Sequence, residues 1–263
     1  MELRVLAIGD VCGSGGMNYL RKRLWSLRRA HKVDFCIVNG ENASGVGITS
    51  RQANAILDSG ADVITLGNHS YQCREIAAAL EDEPRLLRPA NDSPLFPGRG
   101  LGVYETAFGD IAVINLVGRC GMDFRPDNPF LVVERLLKQL KTGLILVDFH
   151  AEATSEKRAM GFYLDGKVSA LWGTHTHVPT ADDEILPKGT GYVTDLGMTG
   201  PRYSVLGVRP EQSITHFRGG MNTRFESADG PQKLEGVLFT LNADTGRCLY
   251  TERILDYEAT ARG

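Results

Sequence analysis

The segment Trp172-Gly173-Thr174-His175-Thr176-His177-Val178-Pro179 (WGTHTHVP) ends an apolar run with two histidines one residue apart. The chain has only six histidines, so a pair at the end of a predicted strand is unusual. Residues i and i+2 of an extended segment point to the same side, so both imidazoles could reach one metal ion. The pair alone is equally consistent with a structural role.

Polar residues with metal-binding side chains follow four other apolar runs in the same way. They are Gly9-Asp10, Asn39-Gly40-Glu41-Asn42, Gly67-Asn68-His69 and Asp148-Phe149-His150. The carboxyl ends of strands in α/β sheets face the ligand crevice, so the five segments would meet at one edge. Each has a structural explanation when taken singly, such as a turn at Gly9-Asp10, a helix cap at Asn68-His69 or a hydrogen-bonded core position for His150. Their coincidence predicts a metal centre with mixed nitrogen and oxygen ligands.

Short apolar, β-branched runs alternate with helix-like segments along most of the chain. The predicted strands are Leu3–Ile8, Val33–Val38, Val63–Leu66, Ile111–Val117, Leu144–Phe149 and Val168–Trp172. The predicted helices are Met17–Ala30, Thr49–Asp58 with a capping box at Thr49 and Gln52, Arg74–Glu81, Phe130–Lys141 and Ser155–Leu164. This alternation favours a layered α/β fold. After about Gly189 we expect mainly strands, including Val237–Leu241 and Cys248–Ile254, which complete the sheets of a single domain over residues 1–263.

Composition excludes several classes of protein. The 263 residues are 42% apolar, which is enough for a substantial core, and the net charge of −3 argues against a general nucleic-acid or membrane surface. No apolar run reaches the length of a membrane span, and the N-terminus lacks a signal-peptide pattern. The five cysteines are scattered and form no CxxC motif. We therefore expect a cytoplasmic protein with reduced thiols and no membrane partner.

Four other features have alternative interpretations. The basic segment Arg21–Arg29 fits a solvated helix face better than an RNA-binding surface. Gly13–Gly16 fits either a flexible turn or a loop whose backbone N–H groups admit phosphate. Glu152 is explained by a charge at a helix N-terminus, with contact to a metal ligand as the alternative. The loop Asn91–Gly102 could serve an interface in a homo-oligomer.

The predicted ligands suit two cations. Two divalent ions about 3.5–4 Å apart need a shared ligand, which Glu41 or Asp10 could supply. Neutral histidine and asparagine ligands leave the centre positively charged, which lowers the pKa of a bound water and attracts an anionic substrate. Phosphate esters fit this electrostatic pattern.

This combination of segments resembles the calcineurin-like metallophosphoesterases and, within them, the YmdB-like branch of bacterial phosphodiesterases. The segments that carry the resemblance to the branch are Asn39–Ala43, His150–Lys157 and Thr194–Pro201. The resemblance covers nearly the whole chain, from Gly9 to beyond Gly200. It implies a four-layer α/β sandwich with a two-metal site at the C-terminal ends of the strands.

The resemblance also implies a role for each site residue. The first metal would be held by Asp10, Glu41 and His177, with Asn42 at or beside it. The second would be held by Asn68, His150 and His175, with Glu41 bridging the two ions. His69 would face the substrate without binding metal. The ions would be Fe or Mn, with Zn as an alternative, because mixed nitrogen and oxygen sites accept several metals.

Some positions depart from the superfamily or branch pattern. Cys12 stands where most of the superfamily has the histidine of Asp-x-His, and Glu41 replaces the usual bridging aspartate, both as expected for the branch. The segment Cys12–Met17 lacks the usual basic residue, and Ser70-Tyr71-Gln72 lacks the usual aromatic-acidic pair. These departures leave the metal ligands intact and bear on substrate preference.

The resemblance implies a phosphodiesterase that hydrolyses cyclic nucleotides of the 2′,3′ type. A metal-bridging hydroxide would attack phosphorus in line, and His69 would protonate the leaving alkoxide as general acid. The residues alone do not separate diesters from monoesters, so a phosphomonoesterase is one alternative. A two-metal hydrolase of amides or carboxylic esters is another. A non-catalytic, metal-bound regulatory or nucleotide-binding protein is a third, although it would not need His69.

Overall fold

The computed structural model describes residues 1–123, 125–221 and 224–259, which form fourteen strands and six helices. The strands are β1 (Glu2–Ile8), β2 (Asp10–Val11), β3 (Phe35–Asn39), β4 (Val63–Thr65), β5 (Leu86–Leu87), β6 (Leu101–Thr106), β7 (Gly109–Val117), β8 (Leu144–His150), β9 (Ala170–Thr174), β10 (Glu184–Ile185), β11 (Gly191–Val193), β12 (Met198–Pro201), β13 (Gln232–Asn242) and β14 (Cys248–Tyr257). The helices are α1 (Gly13–Ala30), α2 (Ser50–Asp58), α3 (Ile76–Asp82), α4 (Pro129–Leu137), α5 (Thr154–Leu164) and α6 (Pro210–Phe217). No helix among these residues combines the length and the apolar composition that a membrane crossing requires.

The strands form two sheets. The first has eight strands in the order β2-β12-β13-β1-β3-β4-β5, with β14 paired to β13. The second has six strands in the order β10-β11-β9-β8-β7-β6. Strands β1, β3 and β4 are parallel, as are β7, β8 and β9. Within each sheet these parallel strands therefore end at one edge.

Three apolar clusters hold the layers together. Leu20 of α1 belongs to a cluster that joins helices α1, α2 and α3 to the first sheet. A second cluster lies between the sheets, where the rings of Trp172 and Phe239 stack with centroids 5.7 Å apart. Met160 of α5 and Val147 of β8 belong to the third cluster, which joins α4 and α5 to the second sheet. The layers therefore run helix, sheet, sheet, helix.

The alternation of strands and helices predicted from the sequence is confirmed. Every predicted strand and helix overlaps an observed one, with shifts of a few residues at the ends. The capping box is present, because Thr49 Oγ1 accepts from the Gln52 backbone N–H and Gln52 Oε1 accepts from that of Thr49. Residues after Gly189 contribute strands to both sheets, and they also form the short helix α6. Strand β6 was not predicted, and its first two residues lie in the segment that was predicted to be the loop Asn91–Gly102.

Helix α1 begins at Gly13, four residues before the predicted start at Met17. The interpretation of Gly13–Gly16 as a turn or loop is therefore wrong. A Cβ atom on Gly16 would lie 2.2 Å from the carbonyl oxygen of Thr199 in β12. Glycine at this position lets the first turn of the helix lie directly against the strand, so close packing explains the residue.

Candidate metal centre

Strand ends from both sheets bring the predicted site residues together. Asp10 lies in β2, Glu41 and Asn42 follow β3, Asn68 and His69 follow β4, His150 ends β8, and His175 and His177 follow β9. Asp10, Glu41 and His150 are fully buried, whereas the side chain of His69 is 32% exposed. The centre is thus closed towards the core and open on the side of His69.

His150 lies at the middle of the predicted second ligand set. Its Nε2 atom is 3.0 Å from Asn68 Oδ1, 3.0 Å from His175 Nδ1 and 3.2 Å from Glu41 Oε1. One ring nitrogen carries at most one proton and cannot donate to three acceptors at once. Ligand atoms of Glu41, His150 and His175 all lie within 4.8 Å of one another. This convergence of lone pairs is what a metal cation would satisfy.

A buried hydrogen-bond chain orients His150. Thr174 Oγ1 donates to Asp148 Oδ1 at 2.7 Å and lies 3.0 Å from His150 Nδ1. Because the only hydroxyl proton is used, the oxygen accepts from Nδ1–H, which leaves the Nε2 lone pair facing the other ligands. Asp148 also accepts from Thr65 Oγ1 at 2.5 Å and Asn39 Nδ2 at 3.2 Å, and burial raises the pKa of Asp148 to about 6. The sequence places Asp148 among the polar residues at the strand ends, but no role in orienting His150 was predicted for Asp148 or Thr174.

The predicted first ligand set is looser. Asp10 Oδ1 lies 3.6 Å from His177 Nε2, and it accepts no hydrogen bond from the described residues. Asp10 Oδ2 accepts from the backbone N–H of His175 at 3.2 Å. Asn42 presents its Nδ2 atom to His177 Nε2 at 3.2 Å and donates to Glu41 Oε1 at 3.3 Å. A buried carboxylate oxygen that accepts no hydrogen bond is costly, so the Asp10 position also fits a cation.

The sequence suggested that His175 and His177 lie on an extended segment, and this prediction is wrong. Strand β9 ends at Thr174, and His175 and His177 have φ angles of +98° and +63°. These left-handed conformations are uncommon outside glycine and are typical of functional sites. The two rings therefore face different partners, with His175 against His150 and His177 against Asp10.

A second buried carboxylate, that of Asp195, binds the segment His175–His177, which we call the histidine loop. Asp195 Oδ2 accepts from Thr176 Oγ1 at 2.8 Å and from the Thr176 backbone N–H at 3.3 Å. The same oxygen lies 2.6 Å from Lys157 Nζ. Both Lys157 and Asp195 belong to segments that carry the family resemblance, but no role was predicted for either of them.

Burial and neighbouring charges shift the pKa values of the side chains in the centre. Burial and the neighbouring His150 lower the pKa of His175 to about 4, so its imidazole is neutral at pH 7. Burial opposes ionisation of Glu41, but His150 and His69 outweigh it and lower the pKa of that carboxyl. Glu41 and His175 therefore have the protonation states that metal ligands require. Burial opposes protonation of His150 and His177, but neighbouring acidic groups outweigh it and raise the pKa of both rings, so a cation bound there would displace their protons.

Two further side chains, Glu152 and His69, contact the predicted ligands. Glu152 Oε2 lies 3.1 Å from His175 Nε2, so its side chain contacts a predicted ligand. His69 Nδ1 lies 3.2 Å from Glu41 Oε1, and the His69 backbone N–H donates to Glu41 Oε2 at 3.3 Å. His69 is thus attached to the predicted bridging carboxylate and open to solvent.

Gly67 shows how tightly the ligands pack. A Cβ atom at this position would lie 2.1 Å from Glu41 Oε2 and 2.4 Å from His150 Nε2. The absence of a side chain at position 67 therefore leaves the space that these two side chains share. Any larger residue would push the carboxylate and the imidazole apart.

The chain is similar in sequence and fold to several known proteins. Residues 6–254 match the model of the family described as YmdB-like protein. A Bacillus subtilis (strain 168) protein named 2′,3′-cyclic-nucleotide 2′-phosphodiesterase is 45% identical over 258 residues, which cover 96% of this chain and 97% of that protein. A solved structure from Mycoplasma pneumoniae, described as a novel phosphatase, has a TM-score of 0.93 at 36% identity and covers 98% of this chain and 94% of its own. A hypothetical protein from Thermus thermophilus has a TM-score of 0.91 at 38% identity and covers 98% and 100% of the two chains. The chain belongs to the YmdB-like protein family.

Proposed function

We propose that this protein is a metal-dependent phosphodiesterase that hydrolyses 2′,3′-cyclic nucleotides at the 2′ ester. The observation that carries the proposal is the convergence of Glu41, His150 and His175 on one point, close to a buried oxygen of Asp10 that accepts no hydrogen bond from the described residues. The name of the Bacillus subtilis relative supplies the substrate class and the bond. We include the fold in this proposal and assign the layered α/β architecture to the metallophosphoesterase sandwich.

The donor set fits two cations, each with nitrogen and oxygen ligands. The first would be held by Asp10, Glu41 and His177 with Asn42 beside them, and the second by Asn68, His150, His175 and Glu41. Fe, Mn and Zn all accept such ligands, with Fe or Mn as our assignment. Bound there, the cations would supply Lewis-acid stabilisation of phosphate charge and would acidify water at neutral pH.

The surrounding residues would position the ester and its leaving group. The closed side of the centre, walled by buried Asp10 and His150, excludes bulk water from behind the phosphate. His69 faces the open side and is anchored through its backbone N–H to Glu41. We assign His69 as the proton donor to the 2′ oxygen as the bond between phosphorus and O2′ breaks. One water is consumed, and the product is a nucleoside 3′-phosphate.

The experiment is hydrolysis of adenosine 2′,3′-cyclic phosphate by metal-stripped protein before and after addition of Mn²⁺, with products followed by ³¹P NMR. We expect turnover only with metal and accumulation of the 3′-phosphate. Glu41→Gln is the matched variant, because it keeps the shape of the side chain but loses the charge, and it should bind less metal. Bis(p-nitrophenyl) phosphate, p-nitrophenyl phosphate and p-nitrophenyl acetate serve as diester, monoester and carboxylic-ester comparisons.

Four results would contradict the proposal. Protein that holds metal and turns over none of the four substrates would favour the non-catalytic alternative. Preference for the monoester would identify a phosphomonoesterase, and preference for the acetate a carboxylic-ester hydrolase. Full activity without metal would show that the reaction does not depend on a cation held by the predicted ligands.

A further inference from the structure

A cavity of about 470 Å³ lies directly beside the centre, and its volume is sufficient for a small ligand. Residues 44–46, 206–208 and 224–227 form its walls, together with Cys12, Gly13 and His177. The first of these segments follows β3, and the others flank α6. His177 thus belongs both to the predicted ligand set and to the wall of the cavity.

Apolar side chains stand around this cavity while remaining open to solvent. Val46 is 52% exposed, and Leu206 and Phe225 are each 49% exposed. Small-molecule sites combine apolar walls with a few polar groups, and here Arg224, Glu226 and Ser227 are polar residues in the wall. The cavity is therefore chemically unlike the charged centre that it adjoins.

The cavity is fixed to the centre by a direct contact. His177 Nδ1 lies 3.0 Å from the carbonyl oxygen of Leu206, which allows the ring N–H to donate to that carbonyl. The other ring nitrogen of His177 faces Asp10. A molecule whose phosphate lies at the centre would therefore have this cavity next to it, beyond His177.

We propose that this cavity binds the nucleobase of the cyclic nucleotide, with Phe225 as the stacking residue and Val46 and Leu206 as further apolar parts of its wall. The inference rests on the proposed function, which places the phosphate at the metal centre. A nucleobase is flat and has an apolar face and a polar edge, which matches half-exposed apolar side chains beside Arg224 and Ser227. Stacking of bases on aromatic side chains is the general way in which proteins hold unpaired nucleotides.

The test compares two substrates that differ only in the base. Adenosine 2′,3′-cyclic phosphate carries the base, and ribose 2′,3′-cyclic phosphate does not. For Phe225→Ala we expect KM for the nucleotide to rise about tenfold, with a much smaller change in KM for the base-free compound. Phe225→Trp should restore the low KM for the nucleotide. Phe217→Ala is the matched control, since Phe217 is 81% exposed at the end of α6 and lies outside the cavity wall.

The outcomes separate this subsite from the proposed function. Wild-type turnover of both substrates with equal KM, or an equal rise in both KM values for Phe225→Ala, would overturn the subsite and leave the phosphodiesterase intact. Absence of any wild-type turnover would defeat the proposed function. In that case calorimetric binding of adenosine 2′,3′-cyclic phosphate decides the subsite, since weaker binding by Phe225→Ala supports it and unchanged binding overturns it.

Discussion

Lys157 Nζ lies 2.6 Å from Asp195 Oδ2, and both side chains are 1% exposed. The pair connects α5 to the segment after β11, and Asp195 in turn binds Thr176 between the two histidines of the centre. A buried ion pair of this kind contributes little net stability compared with apolar residues, but it makes each partner dependent on the other. The conformation of the histidine loop therefore depends on a lysine in a different element.

Replacing Lys157 with methionine should leave Asp195 buried without its counter-charge. We expect the free energy of unfolding in urea to fall by about 3–5 kcal/mol at pH 7. Lys138→Met is the control, because the pair of Lys138 with Glu134 has side chains that are 72% and 47% exposed. That change should be within about 0.5 kcal/mol of wild type. If the two substitutions lowered the free energy of unfolding equally, the buried pair would be no more important for stability than the exposed pair.

Replacing Thr174 with valine should remove the acceptor that orients His150. We expect the affinity for a divalent ion to fall about 10- to 100-fold, since partners of ligating histidines contribute by about this factor. The measurement is a competition titration of metal-stripped protein with Mn²⁺ and a chelator.

Thr199→Val is a matched control for this experiment. Thr199 is also fully buried, but its Oγ1 atom has no hydrogen-bond partner among the described residues. Its replacement should leave metal affinity unchanged. The orientation argument fails if both valine variants bind metal like wild type.

Replacing His69 with alanine tests its assignment as proton donor. The variant should retain its metals and lose about 10²–10⁴ in rate towards the cyclic nucleotide. Metal content by mass spectrometry and turnover should be measured on the same sample. His31→Ala is the control, because His31 lies at the end of α1, and this variant should keep the metal content and the turnover of wild type. Loss of metal from His69→Ala would make His69 a ligand and would overturn the assignment.

We expect the ionised carboxylate of Asp256 to make a contribution to stability that depends on pH. It accepts from Arg23 Nε at 2.7 Å and from Tyr19 Oη at 2.9 Å. Burial opposes ionisation of Asp256, but these hydrogen bonds outweigh it and lower the pKa of the carboxyl. Because the folded pKa lies below the unfolded value of about 3.9, the stabilisation is present above that pH and is lost as pH falls through the folded pKa.

Asp256→Asn should therefore lower the free energy of unfolding at pH 7 by about 1 kcal/mol. The difference from wild type should shrink as urea titrations are moved from pH 5 to about pH 3. Asp244→Asn is the control, because Asp244 is 76% exposed and pairs with the terminal amino group. A difference for Asp256→Asn that stays constant over this range would contradict the assigned pKa direction.

The sequence predicted the parts of this molecule that depend on local pattern. Apolar β-branched runs such as Leu144–Phe149 identified strands, because such residues pack on a pleated, buried surface. The polar residues after those strands identified the edge where the site lies. The capping box at Thr49 and Gln52 marked a helix start because its two hydrogen bonds are local.

The parts that were missed depend on contacts between distant segments. Gly13–Gly16 was interpreted as a turn or loop, although it forms the first turn of α1, and the approach of Thr199 explains the glycine at position 16. The left-handed backbone at His175 and His177 is held through Thr176 by Asp195, which comes from a different segment of the chain. The hydrogen bonds of Asp148 to Thr65 and Thr174 likewise join three strands from two sheets. No pattern within one segment encodes such contacts.

The pairing of β1 with β13 has a consequence for how the chain is made. These strands are aligned from Glu2 opposite Asn242 to Ile8 opposite Gly236. A nascent chain on the ribosome therefore holds its first strand with one edge unpaired until nearly all of the sequence has been translated. Exposed strand edges can pair with other chains, so the growing polypeptide is vulnerable to aggregation throughout synthesis. Completion of the first sheet, and of the site at its edge, is thus an event that follows translation of β13.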